Sequence, residues 1–458
     1  MRLAWFSPFP PVKTGVAAVS APLVATLRSR GHVVDPYPEH AAHDFVWRRR
    51  QDPYDLAVYQ FGNSSHHDYE WAYALNYPGL VVLHDTHLHH ARAAFLLRER
   101  RPEDYRAEFA WNHPGASRDL AELGVAGFDS ALYYDWPMMR ALVASARLVA
   151  VHGNAARTEL LEQLASGRPS AADRPPDNVR AIRLSLGTQL GRDRIGQARR
   201  SIRSRYGIGE DAIVFGCFGG LTPEKRLPQI LSAFKAVVPY APSSRLLFGG
   251  APAAHYDLRA DIAAQGLEDR ATITGYLERD EDLADHIAAC DATLNLRWPT
   301  ARETSGPWLQ ALAAGRPTVI TDLVHLSNAP SLDPRSWTVN GSGTTRDTAV
   351  CIAIDLMDED HSLRLAMRRL AADAGLRDSL GRRAQAWWTR HHSPEGMADD
   401  YESVLGQAAQ RSDPHVELPT HMRNRGDRTL QSLLAPFGVR SPIASDTRAR
   451  HPGGTIGA

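Results

Sequence analysis

Short apolar runs alternate with longer stretches of helical periodicity along most of the chain. In the first half these runs are RLAWFS, VVDPY, LAVYQF, LVVLHD, RLVAVHG and VRAIRLSLG. In the second half they are AIVFGCFGG, SRLLFGG, ATITGYL, DATLNLR and PTVITD. Apolar runs separated by helical segments are typical of βα units, whose strands pair in parallel. The pattern predicts an α/β protein with two doubly wound, Rossmann-like domains that face each other across a cleft.

Three segments depart from this alternation. Residues 88 to about 143 form a polar helical stretch, whose mixture of apolar and basic residues fits either a solvated helix or an element at a membrane surface. The stretch before residue 411 has the pattern of closing helices. Residues 411–458 are rich in Arg, Pro, Ser and Gly, and we expect a flexible or loosely docked tail there.

Composition and charge exclude several classes of protein. Hydrophobic residues make up 43% of the 458 residues, which predicts a globular chain. The 52 basic and 52 acidic residues cancel, and this argues against nucleic acid as a partner, since that usually needs a basic surface. No apolar stretch approaches the roughly 18 residues of a membrane helix, so we expect at most peripheral membrane contact. With three cysteines in apolar surroundings, the chain is predicted to be cytoplasmic.

In open α/β sheets, ligands bind beyond the carboxyl ends of the strands, so the strand-end loops are expected to carry the chemistry. In FGCFGGLTPEKR, residues 215–226, an apolar strand ends in two glycines, and Lys225 and Arg226 precede a helix. Glycines let the backbone approach a ligand, and two cations beside free N–H groups suit a diphosphate. A solvated basic pair is the structural alternative, although the helix dipole disfavours cations at that position.

Two further turns have the character of anion sites. In PFPPVKTG, residues 8–15, Gly15 follows a strand and opens a helix. In RETSGP, residues 302–307, an acid, two hydroxyls and a glycine precede a short apolar helix with Pro near its start and Gly past its end. Such a turn presents backbone N–H groups and the positive end of the helix dipole to an anion. The residues predicted to present these amides are Thr304, Ser305 and Gly306.

Polar side chains also end several other strands. LVVLHDTHLHH closes an apolar strand with His84 and Asp85, and three more histidines follow. No partner cluster with ligand spacing occurs elsewhere in the sequence, so a metal site is disfavoured, and the pair is interpreted as a substrate contact. A histidine satisfied by backbone near a helix start is the structural alternative. Asn63 is predicted to hydrogen-bond a polar ligand. Arg297 is predicted to contact a base or phosphate, or else to cover the sheet end.

Taken together, and in this order over two domains, the motifs resemble the family 4 glycosyltransferases, retaining enzymes with the two-domain GT-B fold. The resemblance covers the chain to about residue 410. It implies an N-terminal acceptor domain over 1–195, a C-terminal nucleotide-sugar domain over 196–390 and a closing helix over 391–410 that returns to the first domain. It also implies no metal or other cofactor, because protein cations act on the leaving group and the nucleoside diphosphate sugar is a substrate.

The resemblance assigns roles to individual residues. Its diphosphate contacts correspond to Gly15, Gly220, Lys225 and Arg226. Gly220 occupies the place of a family cation, for which Arg226 would compensate. His84 corresponds to the strand-end histidine near the donor sugar, with Asp85 and Asn63 as sugar or acceptor contacts. Tyr276, in ITGYL, corresponds to the loop beside the base.

The family's signature loop and helix correspond to residues 302–317. Glu303 and Gly306 fit this signature, but Gln310 stands in the place of the second acid, which holds the ribose hydroxyls in the family. Gln310 is seven residues after Glu303, so the loop is one residue short. The resemblance then implies that Glu303 hydrogen-bonds the sugar hydroxyls, and that the catalytic set is Glu303, His84 and Lys225.

The function implied is transfer of a sugar from a nucleoside diphosphate to an acceptor, either a small molecule or a glycan or lipid-linked acceptor. Two alternatives would use the same donor site. One is a GT-B-type sugar-nucleotide epimerase or hydrolase, which would need a dedicated acid/base pair. The other is a non-catalytic nucleotide-binding protein, which the missing second acid suggests. Uracil and guanine both remain open as the base.

Overall fold

The computed structural model describes residues 1–128, 132–166, 177–323, 326, 329–339, 348–423 and 435–438. Among these residues, the first domain has one parallel sheet of β1 (Arg2–Phe6), β2 (Val33–Tyr37), β3 (Leu56–Phe61), β4 (Leu80–Leu83), β5 (Leu148–His152) and β6 (Val179–Ile182). The strand order is β2-β1-β3-β4-β5-β6. The helices of this half are α1 (Gly15–Ser29), α2 (Asp44–Gln51), α3 (Glu70–Asn76), α4 (His89–Arg98), α5 (Pro102–Asn112), α6 (Arg118–Val125), α7 (Leu132–Asp135), α8 (Arg140–Ser145) and α9 (Asn154–Ser166).

The second domain repeats this architecture. Its parallel strands are β7 (Val214–Phe218), β8 (Arg245–Gly249), β9 (Ala271–Ile273), β10 (Ala292–Asn295), β11 (Thr318–Thr321), β12 (Ser331–Leu332) and β13 (Cys351–Ile354), in the order β12-β13-β11-β10-β7-β8-β9. The helices are α10 (Arg192–Arg205), α11 (Leu227–Val237), α12 (Leu258–Gln265), α13 (Asp280–Ala288), α14 (Gly306–Ala313), α15 (Glu359–Ala372), α16 (Ala374–His391) and α17 (Pro394–Ala409).

Burial of both faces explains why the central strands are continuous apolar runs. Every residue of β3, β5 and β7 is buried, as expected when helices cover both sides of a parallel sheet. Loops that follow these strands therefore emerge together at one edge of each sheet, and the two edges face the same cleft. The sequence pattern predicts this fold class correctly.

Helices α4–α8 form the insertion in the first domain; α4–α7 pack around a small core of their own, whereas α8 packs into the main core of the domain. The small core includes Leu96, Tyr105, Phe109 and Met138. A buried ion pair joins Arg92 Nη2 to Glu108 Oε1 at 2.5 Å. Most apolar side chains of this stretch are thus used in packing. No helix among the described residues is long and apolar enough to cross a membrane.

The chain crosses between the domains near its end. Helix α16 packs against α14, whereas α17 packs against α1 and the strands β3–β6. The Tyr401 ring of α17 stacks on Trp5 of β1 with ring centroids 5.9 Å apart, and Asp400 accepts two hydrogen bonds from the Arg183 guanidinium at 2.8 and 2.9 Å.

Of the two forms expected for the tail, flexible or loosely docked, its first part is docked. Residues 411–423 pack against the first domain, where Leu418 and Met422 are buried. Trp111 Nε1 donates to the Glu417 carbonyl at 2.9 Å. The polar composition of the segment hides these two apolar anchors, four residues apart, from a compositional argument. Residues 424–434 and 439–458 of the expected tail lie outside the described residues.

Candidate functional site

A cavity of about 800 Å³ lies between the two domains, at the carboxyl edges of their sheets. Loops from both domains line it: β1–α1 from the first, and β7–α11, β9–α13 and β10–α14 from the second. The residues predicted from sequence that line it are Gly15, Gly220, Lys225, Tyr276, Arg297, Glu303, Thr304, Ser305, Gly306 and Gln310. Residues that are distant in sequence are therefore brought together by the facing sheet edges.

The start of α14 forms one wall of this cavity. Ser305 is the N-cap, and its Oγ accepts a hydrogen bond from Trp308 N at 3.4 Å. Pro307 is in the first turn, where its missing N–H costs nothing. Trp308 is buried and donates from Nε1 to Thr318 Oγ1 at 3.1 Å, which anchors the helix to β11. The positive end of the helix dipole thus faces the cavity from a fixed position.

Lys225 lies at the same end of the cavity. Its Nζ donates to the carbonyl of Phe218 at 2.8 Å. A Cβ built on Gly219 would lie 3.3 Å from Lys225 Nζ and 3.2 Å from Cγ of Pro307, so the ammonium is close to the first turn of α14. Burial lowers the pKa of Lys225 below its ordinary value, and the positive charge of Arg297 lowers it further. The site therefore places a cation in surroundings that a bound anion would improve.

Gly219 was not predicted from sequence as a site residue; the neighbouring Gly220 was predicted instead. Gly219 has φ +96°, so a side chain there would be strained, and its Cβ would also be in tight contact with Lys225 and Pro307. By contrast, a Cβ on Gly15 or Gly220 meets no atom within 4 Å. These two glycines border open cavity, and the packing of the protein itself does not require them.

Arg226 does not line the cavity, which corrects its grouping with Lys225 as a diphosphate contact. It has φ +59° at the start of α11. This left-handed backbone conformation turns the side chain of Arg226 away from the direction taken by the side chain of Lys225. Its guanidinium donates to both oxygens of Glu359, at 2.8 and 2.5 Å. Glu359 begins α15, so Arg226 joins two helices of the second domain.

Glu303 and Arg297 line the cavity as an ion pair, with Arg297 Nε 2.6 Å from Glu303 Oε1. The second carboxylate oxygen of Glu303 accepts from Thr300 Oγ1 at 2.8 Å. The Arg297 backbone N–H donates to Thr321 Oγ1 at 3.1 Å. Arg297 thus orients the acid within its own loop, a role that sequence analysis did not assign to it.

His84 lies outside this cavity, within a hydrogen-bonded chain in the first domain. Its Nε2 is 2.8 Å from Gln60 Oε1, and its Nδ1 is 3.2 Å from His152 Nε2. Because Gln60 Oε1 also accepts from the Tyr401 hydroxyl at 3.2 Å, we assign the proton of His84 to Nε2 and the lone pair to Nδ1. Burial, and then the neighbouring His152, lower the pKa of His84 well below its usual value. Both ring nitrogens are engaged by protein side chains, which corrects the expectation of a direct sugar contact.

Asp85 and Asn63 meet where β3 and β4 end. The backbone N–H of Asn63 donates to Asp85 Oδ2 at 2.7 Å, and Asn63 Oδ1 accepts from Ala91 N at 2.9 Å. Burial raises the pKa of Asp85 to about 7, and the negative charge of Glu303 adds to this effect. Carboxylates from opposite domains therefore lie within electrostatic reach of each other, although neither Asp85 nor Asn63 lines the 800 Å³ cavity.

The histidines after β4 are dispersed. His89 is buried, with Nε2 2.8 Å from the Tyr105 hydroxyl, whereas His87 Nε2 is 3.3 Å from Gln163 Nε2, and His90 is exposed. Among the residues that the structure describes, no group of three or more His, Cys, Asp or Glu side chains is arranged to hold a metal ion.

Sequence analysis also missed a contact across the mouth of the cavity. Lys13 Nζ, from the β1–α1 loop, lies 4.2 Å from the ring centroid of Tyr276 and 2.8 Å from Glu278 Oε2. All three residues line the cavity. The signal available in the sequence was the scarcity of lysine, since Lys13 is one of only three.

Comparisons with known proteins agree with this architecture. Residues 212–333 match the family model of group 1 glycosyl transferases. A search of curated proteins gave no significant match. HepE from Anabaena, solved with UDP and glucose, is similar in structure with a TM-score of 0.56 and 15% identity, covering 89% of this chain and 99% of that chain. Sucrose-phosphate synthase from Thermosynechococcus elongatus has a TM-score of 0.61 at 13% identity, with coverage of 89% and 98%.

The catalytic domain of starch synthase IV from Arabidopsis thaliana, solved with ADP and acarbose, has a TM-score of 0.57 at 10% identity and covers 90% of this chain and 99% of that chain. At these identities the similarity shows the fold, which is the GT-B arrangement of two Rossmann-like domains. The family match thus indicates a glycosyl transferase domain over residues 212–333, within a chain whose overall fold is GT-B.

Proposed function

We propose that this protein is a retaining glycosyltransferase of the family 4 type, which moves a hexosyl group from a nucleoside diphosphate sugar to an acceptor. One observation carries the proposal. Lys225 and the N-terminus of α14 both line the interdomain cavity beside Gly219, since a Cβ built there would lie 3.3 Å from Lys225 Nζ and 3.2 Å from Pro307 Cγ. A partly buried ammonium beside a helix N-terminus is suited to a diphosphate.

In the proposed reaction, the bond from the anomeric carbon to the diphosphate breaks while the acceptor oxygen bonds to the same carbon. Positive charge develops on the sugar ring and negative charge on the departing phosphate. The acceptor proton passes to the departing phosphate oxygen, which balances the exchange. Lys225 and the amides at Thr304, Ser305 and Gly306 stabilise the leaving group from fixed positions, without reorganisation during the step.

The other cavity residues have distinct proposed roles. Glu303, held by Arg297 and Thr300, accepts hydrogen bonds from the donor sugar. Gln310 faces the ribose and Tyr276 the base. Gly15 and Gly220 leave space for the phosphates. Asp85 and Asn63, on the first-domain side, are proposed to contact the acceptor, which is a small molecule or a glycan.

We propose that no metal takes part, because Lys225 and the α14 dipole already supply positive charge at the leaving group. A saturating chelator is therefore expected to leave the rate unchanged. Loss of activity that a divalent ion restores would contradict this part of the proposal.

The proposal is tested in two steps. First, thermal unfolding is measured with UDP, GDP and ADP, since a ligand at about one hundred times its Kd stabilises the folded state by about 2.7 kcal/mol. Second, the corresponding sugar nucleotides are incubated with and without candidate acceptors. Nucleotide release that requires an acceptor supports transfer. Release in water alone would indicate a hydrolase, an altered sugar nucleotide an epimerase, and binding without turnover a non-catalytic protein.

A further inference from the structure

Lys13 connects the two domains at the mouth of the cavity. It belongs to the β1–α1 loop of the first domain, whereas Tyr276 and Glu278 belong to the β9–α13 loop of the second. The ammonium lies 4.2 Å from the Tyr276 ring centroid, and it is 2.9 and 2.8 Å from the two carboxylate oxygens of Glu278. A single cation therefore makes both a cation–π contact and an ion pair across the cleft.

The position of Lys13 in its loop gives this contact a consequence for the donor. Thr14 follows Lys13 and caps α1, with its Oγ1 accepting from Ala17 N at 3.1 Å, and Gly15 then borders the cavity. Because these residues are consecutive, the second domain holds Gly15 in place through Lys13. Separation of the domains at this edge requires both contacts of the ammonium to break.

We propose that Lys13 is a positioning residue that latches the cavity closed over a bound nucleoside diphosphate. This inference rests on the proposed function for the identity of the ligand. The latch does not contact the reacting atoms. It slows nucleotide departure by holding the loop that carries Gly15 against the β9–α13 loop.

The latch is expected to be modest in strength. The side chains of Lys13 and Glu278 are 51% and 67% exposed, so the ion pair alone contributes little. The cation–π contact adds to it. We therefore expect Lys13→Ala to weaken binding of the preferred nucleoside diphosphate by about three- to tenfold, almost entirely through a faster dissociation rate.

The first experiment measures dissociation rates and Kd for UDP, GDP and ADP with the full-length protein. Lys13→Arg should retain near-normal values, because Arg keeps the charge and the cation–π contact. Lys235→Ala is the matched control, since it removes the same charge from an exposed position on α11. Saturating donor should restore the turnover number of Lys13→Ala, and the unfolding temperature without nucleotide should be unchanged.

A charge exchange supplies the second experiment. Lys13→Glu and Glu278→Lys should each speed dissociation, and the double variant should recover much of the loss, with the recovery shrinking at high salt. If Lys13→Ala behaves like Lys235→Ala, the latch is overturned. It is also overturned if the effects of Lys13→Glu and Glu278→Lys on the dissociation rate simply add in the double variant. Tighter binding by Lys13→Ala would also overturn it, because Lys13 would then be covering the ring that the base needs. If the wild-type protein binds none of the three nucleotides, the proposed function is wrong, and the latch, which depends on a bound nucleotide, is wrong as well.

Discussion

Replacement of Lys225 by methionine separates what this side chain does for stability from what it does for catalysis. Methionine has a similar length but no charge, so the space beside Gly219 stays filled. In the folded protein burial lowers the pKa of Lys225, which means that the charged form is disfavoured there relative to the unfolded chain. At neutral pH Lys225 therefore reduces stability, and this cost disappears as the pH rises through the folded and then the unfolded pKa.

Lys225→Met is therefore expected to have opposite effects on stability and on the rate of transfer. The free energy of unfolding of Lys225→Met at pH 7 should equal or exceed that of the wild type, since the hydrogen bond to the Phe218 carbonyl offsets part of the desolvation cost. Transfer should slow by about a hundredfold or more, which corresponds to a loss near 2.7 kcal/mol of transition-state stabilisation. The variant is thus expected to be folded, no less stable and nearly inactive.

The assay combines denaturant unfolding at pH 7 with kcat/KM for the donor. Lys235→Met serves as the control. It makes the same substitution at an exposed position on α11, the helix that follows the loop carrying Lys225. Transfer within about threefold of the wild type would refute the assignment of Lys225 to the diphosphate. A large loss of stability would refute the argument that its burial is a cost accepted for function.

Three further predictions concern other residues. Arg226→Ala should lower the free energy of unfolding by about 1–3 kcal/mol, because it leaves Glu359 unpaired, while Kd for the nucleoside diphosphate stays within twofold; a large rise in Kd would contradict the structural role. Asp85→Asn should be more stable than the wild type at pH 8, by up to about 4 kcal/mol, and nearly equal at pH 4. Because the pKa of Asp85 is raised to about 7 in the folded protein, the wild type loses stability as the pH rises from about 4 to 7. An equal gain in stability of Asp85→Asn at pH 4 and pH 8 would refute this. Gln310→Ala should weaken binding of the ribonucleotide several-fold and of its 2′-deoxy form much less, whereas unchanged affinity for both would show that Gln310 only packs α14.

Local features were predictable where neighbours in sequence are also neighbours in space. The alternation of apolar runs predicted the parallel sheets, because strands buried on both faces must be apolar throughout. The start of α14 was predictable as well, since Ser305, Pro307 and the glycine past its end satisfy backbone groups within a few residues. The cavity wall at 304–306 therefore followed from the sequence.

Contacts between distant segments were not predictable in the same way. Sequence treated Lys225 and Arg226 as a pair, but the left-handed conformation at Arg226 sends its guanidinium to Glu359, 133 residues further along the chain. His84 received a substrate role from its position at a strand end, whereas Gln60 and His152 engage both ring nitrogens.

Sequence by itself determined the fold class, the strand-end loops and ten of the residues that line the cavity, because these depend on local propensity and on the facing edges of parallel sheets. Tertiary structure alone decided which charges are partnered and which face the ligand: Glu303 with Arg297, Lys13 with Glu278, and Lys225 beside Pro307. The physical reason is that the free energy of a charged side chain depends on its partner and its burial, and both are set only when the chain folds and, for Lys13 and Glu278, when the two domains meet.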